Sequence, residues 1–177
     1  MGGIKMDFEK LIIDRYSVRS FKPERLSQSV IDKILAAAHK APTGCNYQPQ
    51  RILVLNTDKS IDKLKECTKC HFNAPTAMLI CHNKNESWKR VYDGALSSPV
   101  DASIVTTYMM LAAQNEGVGS CWVMHFNPAA MCEKFNIPQN IEPVALLVMG
   151  YPSDDSKPID MHFKFRSMDE TVVYESF

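Results

Sequence analysis

The sequence predicts a helix-rich α+β domain with about four strands in one central sheet. Three observations carry that reading. The chain has 177 residues, enough for one domain with a sizeable core. Segments with helical apolar spacing and cap signals alternate with short apolar runs. One of those runs, Val144–Met149, is almost continuously apolar, as in a strand covered by helices on both faces.

The elements follow in order. Asp7–Arg15 reads as a helix through Phe8, Leu11 and Ile12. Ser27 caps a stronger helix in which Val30, Ile31, Ile34, Leu35 and Ala38 hold helical spacing. Pro42-Thr43-Gly44-Cys45-Asn46-Tyr47-Gln48-Pro49 ends it in a turn-rich loop. Arg51–Asn56 reads as a strand, Asp58–Lys69 as a short amphipathic helix, and Ala77–Cys81 as a second strand. Asn83–Ser98 is polar, with Trp88 and Tyr92 as isolated aromatics, and is read as a mobile loop or short helix. Asp101–Asn115 is the most apolar helix, and Gly117-Val118-Gly119 stops it. Ser120–Phe126 is a strand or extended loop. Asn127 caps the helix Pro128–Phe135, and Val144–Met149 ends in Gly150-Tyr151-Pro152. The last 25 residues are polar, yet carry Phe163, Phe165, Val172, Val173 and Tyr174. Such an apolar tail on a small domain is expected to pack on something, a partner subunit in particular.

Composition narrows the function classes. Lys plus Arg and Asp plus Glu balance at 20 each, so net charge favours neither nucleic acid nor an anionic membrane. No apolar run approaches the roughly 20 residues of a spanning helix. Met1-Gly2-Gly3-Ile4-Lys5 lacks the apolar core of a signal peptide, and the chain is read as soluble and cytoplasmic. There are six cysteines. Cys67-Thr68-Lys69-Cys70-His71 matches the haem-attachment pattern, which needs an exported chain. A zinc site using Cys67, Cys70, His71, Cys81 and His82 is the alternative. The favoured reading is reduced thiols at a helix end with His71 in the last turn, and no haem, disulfide or metal.

The densest chemical signal is Arg15-Tyr16-Ser17-Val18-Arg19, two cations and a hydroxyl directly after a helix. Lys164 and Arg166 form a second basic pair in the tail. Guanidinium forks match phosphate oxygens, so these groups brought together would clamp a phosphate.

With Ala41–Pro49, Gly117-Val118-Gly119-Ser120-Cys121-Trp122 and Met149-Gly150-Tyr151-Pro152, this order of motifs resembles the FMN-dependent nitroreductase family along nearly the whole chain. The resemblance implies a mostly antiparallel central sheet flanked by helices, a homodimer, and a C-terminal tail reaching over the partner subunit. It implies FMN as cofactor, NADH or NADPH as reductant, and a small planar electron acceptor such as a nitroaromatic or quinone. Carried onto this chain, Arg15, Ser17 and Arg19 would hold the phosphate and ribityl chain, and Lys164 and Arg166 would close on the phosphate from the same subunit. Pro42, Thr43, Gly44 and Asn46, with Gln48 as a weaker candidate, would come from the partner and line the flavin ring. Trp122, Val123, Met124 and His125 would pass beneath it, a backbone amide near N5. Many members place an acidic residue and then glycine where Met124 and His125 stand. His125 is therefore expected to be strained if the backbone there needs φ > 0, and is considered as a proton donor. Asn83–Ser98 would be a shortened substrate lid. A flavin-binding protein for sensing or storage, without turnover, is the other reading kept open.

Overall fold

The computed structural model describes residues 7–177, so the reading of Met1–Lys5 lies outside the described residues. Six helices and four strands follow one another in a single chain of contacts. They are α1 (Phe8–Asp14), α2 (Gln28–Lys40), β1 (Gln50–Leu55), α3 (Asp58–Cys67), β2 (Thr76–Asn83), α4 (Ser98–Asn115), β3 (Gly119–Val123), α5 (Pro128–Phe135), β4 (Ile141–Gly150) and α6 (Met168–Thr171). The strands form one sheet in the order β1-β2-β4-β3, antiparallel throughout.

Both faces of that sheet are covered. Met78, Ile80, Leu147 and Met149 meet α2 and α4 through Ile31, Ile34, Val105 and Met109. Ala77, Leu79, Leu146 and Val148 meet α3 and α5 through Ile61, Leu64 and Met131. Alternation along β2 and β4 thus sends apolar groups to two cores, and every residue of β2 is buried. At roughly 25 cal/mol per Å2 of apolar surface removed from water, these two layers are the main source of stability.

Helix starts follow local chemistry. Ser27 accepts from the Val30 amide, Thr57 and Ser60 complete a reciprocal cap, and Asn127 accepts from the Ala130 amide with Pro128 beginning α5. Three expectations need correction. First, α4 starts at Ser98 rather than Asp101, because Pro99 pre-sets the first turn. Second, β4 starts at Ile141. Pro143 sits where the pairing with β2 shifts register, a position that does not need its missing N–H. Third, α3 ends at Cys67, with Thr68 extended, so Cys70 and His71 lie in a turn beyond the helix rather than in its last turn. Among the described residues no helix is long and apolar enough to cross a membrane.

The segment read as a mobile loop or short helix, Asn83–Ser98, is neither along most of its length. After a 3-10 turn at Lys84–Glu86, residues 88–97 fold into a small hairpin. Ser97 N donates to Trp88 O (2.9 Å), Arg90 N to Ala95 O (2.9 Å), and Lys89 bridges Leu96. Sequence alternation is too short there to announce it.

His82 is the one histidine buried in the sheet. Its Nδ1 has no partner among the described residues, and its Nε2 lies 3.5 Å from Glu142 Oε2. Burial lowers its proton affinity below the ordinary 6.5, with Glu142 and Asp101 pulling upward and Lys84 downward. His71 shifts the same way, by burial and then by Lys65 and Lys69. The unfolded chain therefore binds more protons than the native one as pH falls past 6.5. Stability is present above that pH and is lost as pH falls through the lowered native value. His82→Gln is expected to lessen this acid loss in urea unfolding between about pH 7.5 and 5. Equal pH dependence in variant and parent would remove His82 from the account.

Candidate active site

The N-terminal motif is docked edgewise on the sheet. Ser17 makes a parallel bridge with Ser120, and Val18 N donates to Ser120 O at 3.0 Å. The approach requires Gly119, because a Cβ there would lie 2.6 Å from Val18 Cγ2 and 2.9 Å from Pro152 Cγ. Val18 is buried, which turns Ser17 and Arg19 to the other side of the segment. Arg15 follows as the C-cap residue of α1.

The tail then crosses this motif within the same chain. Tyr16 Oη donates to Ser156 O (3.2 Å) and lies 3.1 Å from Ser156 Oγ. A cleft of about 230 Å3 results, lined by Ser17 and Arg19 on one side and Ile159, Met161 and His162 on the other. A second cleft of about 410 Å3 lies beside it, lined by Ile12, Ile13, Arg15, His162, Phe163 and Phe165. His162 borders both, and its ring meets Tyr16 edge-on at 6.4 Å. Sequence reasoning missed both Tyr16 and His162. Their signal was available: Tyr16 stands inside the motif and His162 stands two residues before Lys164. Lys164 and Arg166 themselves line neither cleft and are exposed, with Arg166 Nη1 3.5 Å from Glu170 Oε1. Arg19 Nη1 donates to Ser17 O at 3.1 Å, and its guanidinium lies 5.9 Å from the centre of the Phe72 ring.

The loop Pro42–Gln48 is elsewhere in the chain, between α2 and β1. Cys45, Asn46 and Gln48 all take positive φ, an expensive conformation for residues with a Cβ. Side chains hold it: Thr43 Oγ1 accepts from Gln48 N (3.1 Å), and Gln48 Nε2 donates to Asn46 Oδ1 (3.1 Å). From below, Gly44 N donates to Asp101 Oδ1 at 2.8 Å. None of Pro42, Thr43, Gly44, Asn46 or Gln48 lines either of these two clefts beside the Arg15–Arg19 motif.

Trp122 and Val123 end β3, where Trp122 Nε1 lies 3.2 Å from Met124 Sδ and Val123 is buried. Met124 is exposed. His125 lines a different cleft, with Lys65, Thr68 and Lys69 at the end of α3, and its carbonyl accepts from Thr68 Oγ1 at 2.5 Å. Its φ is not positive, so the expected backbone strain is absent.

Cys67 and Cys81 share the α3/α5 core, whereas His82, next in β2, projects to the other face. Among the described residues no three His, Cys, Asp or Glu side chains are grouped to hold a metal. Burial, and then Cys132, pushes the Cys81 thiol up to about 12, an unreactive value. Burial also raises Cys121, while Arg19, Ser17 and Arg15 pull it back, which places that thiol beside the cationic motif.

The cleft thus sets guanidinium and hydroxyl groups beside an apolar strip. The profile of the Nitroreductase family matches residues 12–96 and 71–151. The crystal structure of a nitroreductase family protein from Clostridium difficile 630 superposes with a TM-score of 0.91 at 38% identity, covering 97% of this chain and 100% of that one. A protein of Archaeoglobus fulgidus with the provisional name NADH dehydrogenase/NAD(P)H nitroreductase is 31% identical over 153 residues, 82% of this chain and 86% of that one. The FMN reductase (NAD(P)H) of Bacillus subtilis is 26% identical over 165 residues, 83% of this chain and 66% of the relative. With a family match over most of its length, on a fold that docks the motif against β3, this chain belongs to the nitroreductase family.

Proposed function

We propose that the protein is an FMN-dependent oxidoreductase that takes hydride from NADH or NADPH and reduces a planar acceptor, a nitroaromatic or quinone, by a ping-pong course. Family membership and the names of its relatives support NAD(P)H-dependent oxidoreduction with FMN. The observation that carries the cofactor assignment is the docked Arg15–Arg19 motif, with the tail strap fastened over it by Tyr16.

The residues fit that cofactor. Arg15, Ser17 and Arg19 supply donors for a phosphate and a polar chain, and Ile159 and Met161 continue the wall with apolar surface. Lys164 and Arg166, on the same strap, are within a few residues of the cleft lining and would close on the phosphate. Pro42, Thr43, Gly44, Asn46 and Gln48 would line the flavin ring, with Trp122, Val123, Met124 and His125 beneath it. When bound, FMN supplies the hydride-accepting ring; the chain supplies binding, orientation and exclusion of water. No side chain need move a proton in hydride transfer, and His125 faces the α3 cleft, so the main-chain amides of that segment are the more suitable groups.

The assembly reading is a homodimer. The loop Pro42–Gln48 lines neither cleft beside the Arg15–Arg19 motif in one chain, so a second copy would bring them together. The tail agrees: Phe165 is 85% and Tyr174 84% exposed, and Phe163, Met161 and Phe177 are also bare. Phe8 and Ile13 on α1, with Val100 and Tyr108 on α4, extend the apolar surface. The tail would cross the partner, and the enzyme would work in the cytoplasm.

Two outcomes are expected. Arg15→Ala and Arg166→Ala should each weaken FMN by about 10- to 150-fold, since a hydrogen bond to a charged group contributes roughly 1.5–3 kcal/mol. Riboflavin, lacking the phosphate, should bind parent and variants alike by fluorescence titration. Unchanged FMN affinity in both variants would refute the clamp. Deleting the residues after Tyr151 should turn the dimer into monomer in sedimentation and release flavin in the same step. A truncated chain that stays dimeric and yellow would refute the tail's role.

A further inference from the structure

The loop Pro42–Gln48, proposed to line the flavin ring, and the hairpin 88–97, inside the segment that the family resemblance makes a shortened substrate lid, meet at one buried carboxyl group. Asp101 stands in the first turn of α4 and is 2% exposed. Both of its oxygens are used. Oδ1 accepts from Gly44 N at 2.8 Å, and Oδ2 accepts from Ser97 Oγ at 2.8 Å. Gly44 and Ser97 belong to different segments, and neither bond is a helical one.

Several features set this apart from an ordinary acidic residue in a first helical turn. Ser97 is the N-cap of α4, yet its side chain makes no capping bond to the helix; its hydroxyl goes to Asp101 instead. Gly44 is pressed against the hairpin so closely that a Cβ would lie 2.8 Å from Ser97 Oγ and 3.3 Å from Trp88 Cβ. The loop therefore touches both strands of the hairpin at its base. The loop also carries three left-handed non-glycine residues and needs an outside anchor to persist in that shape. Its side-chain bonds, from Gln48 to Thr43 and Asn46, are internal to the loop, and the one other hydrogen bond from outside it among the described residues is a long one from Arg51 Nη1 to Gln48 O (3.4 Å). At the far end, Arg90 and Asp93 clasp the turn by paired contacts (2.8 and 2.5 Å), while Val91 (86% exposed) and Tyr92 (93% exposed) project from the tip.

We infer that Asp101 is a positioning residue that fixes the hairpin 88–97 to the loop Pro42–Gln48, so that one buried carboxyl sets the gap between the proposed flavin-lining loop and the proposed lid. The inference rests on the flavin reading for its effect on turnover, but the linkage itself does not need flavin. The Gly44 amide is the direct reporter, because its hydrogen bond ends on Asp101. An amide that loses a buried partner opens and exchanges faster, whatever the protein binds.

The test compares Asp101→Ala, Asp101→Asn and Ser97→Ala in the full chain. Asp101→Ala is expected to speed Gly44 amide exchange by about ten-fold or more in NMR, with the amides of β2 unchanged. FMN affinity and the KM for the acceptor should worsen by about ten-fold as well, with kcat changed less. Asp101→Asn keeps an acceptor for Gly44 and offers an NH2 to Ser97 Oγ, so it should stay within about three-fold of the parent. Ser97→Ala removes only the Oδ2 contact and should give an intermediate KM; it also covers the case in which Asp101→Ala does not fold. The inference is overturned by unchanged Gly44 exchange in Asp101→Ala, by a fall in Tm with FMN affinity and KM at parent values, or by Asp101→Asn behaving as badly as alanine. A parent that binds no FMN would sink the flavin reading, while the exchange data would still decide the linkage.

Discussion

Covering the sheet on both faces constrains everything else in the molecule. β2 is buried from end to end, and the inner half of β4 with it, by α2 and α4 on one side and α3 and α5 on the other. No polar chemistry fits in the middle of such a sheet without an unpaired buried group. Functional groups are pushed to its margins. The Arg15–Arg19 segment attaches beside β3, the Pro42–Gln48 loop sits ahead of β1, and the hairpin 88–97 leaves the end of β2. The rigid layers give each of these segments a fixed footing, and the segments keep the freedom to carry donors.

Much of this was legible in residues. Helix starts announce themselves through bonds of a few atoms: Ser27 to Val30 and Asn127 to Ala130 need no knowledge of the rest of the chain. Val144–Met149 reads as a strand because both of its faces are apolar. The missed parts are those where a local signal is overruled by distant packing. The strand read as Ala77–Cys81 runs on to Asn83, because His82 pairs with Gln50 of β1 and Glu142 of β4, and Asn83 pairs with Ile141 of β4. Pro143 looks like a strand breaker and is admitted by a register shift. The bond from Gly44 to Asp101 spans 57 positions and leaves no trace in spacing.

The candidate site divides in the same way. The motif at Arg15–Arg19 was visible because its chemistry is concentrated in five residues. The tail strap was visible only as a basic pair, Lys164 and Arg166, whereas the residues that build the cleft wall are Ile159, Met161 and His162, anchored through Tyr16 and Ser156. An apolar wall and a hydroxyl anchor carry no charge pattern to notice. The two proposed halves of the flavin site line no common cleft among the two beside the motif, so under the dimer reading the exposed tail and the bare residues of α1 and α4 would bear on function as well as on assembly.

The central claim is that these margins hold a redox-active flavin. The absorbance spectrum of the purified protein, recorded without oxygen before and after adding NADH and then NADPH, tests it most directly. The account predicts the two visible bands of oxidised flavin, bleaching by at least one nicotinamide, recovery of the bands on adding a quinone, and release of FMN rather than FAD on heating. A colourless protein that cannot be reconstituted with FMN, or a yellow one that neither nicotinamide bleaches, would contradict it.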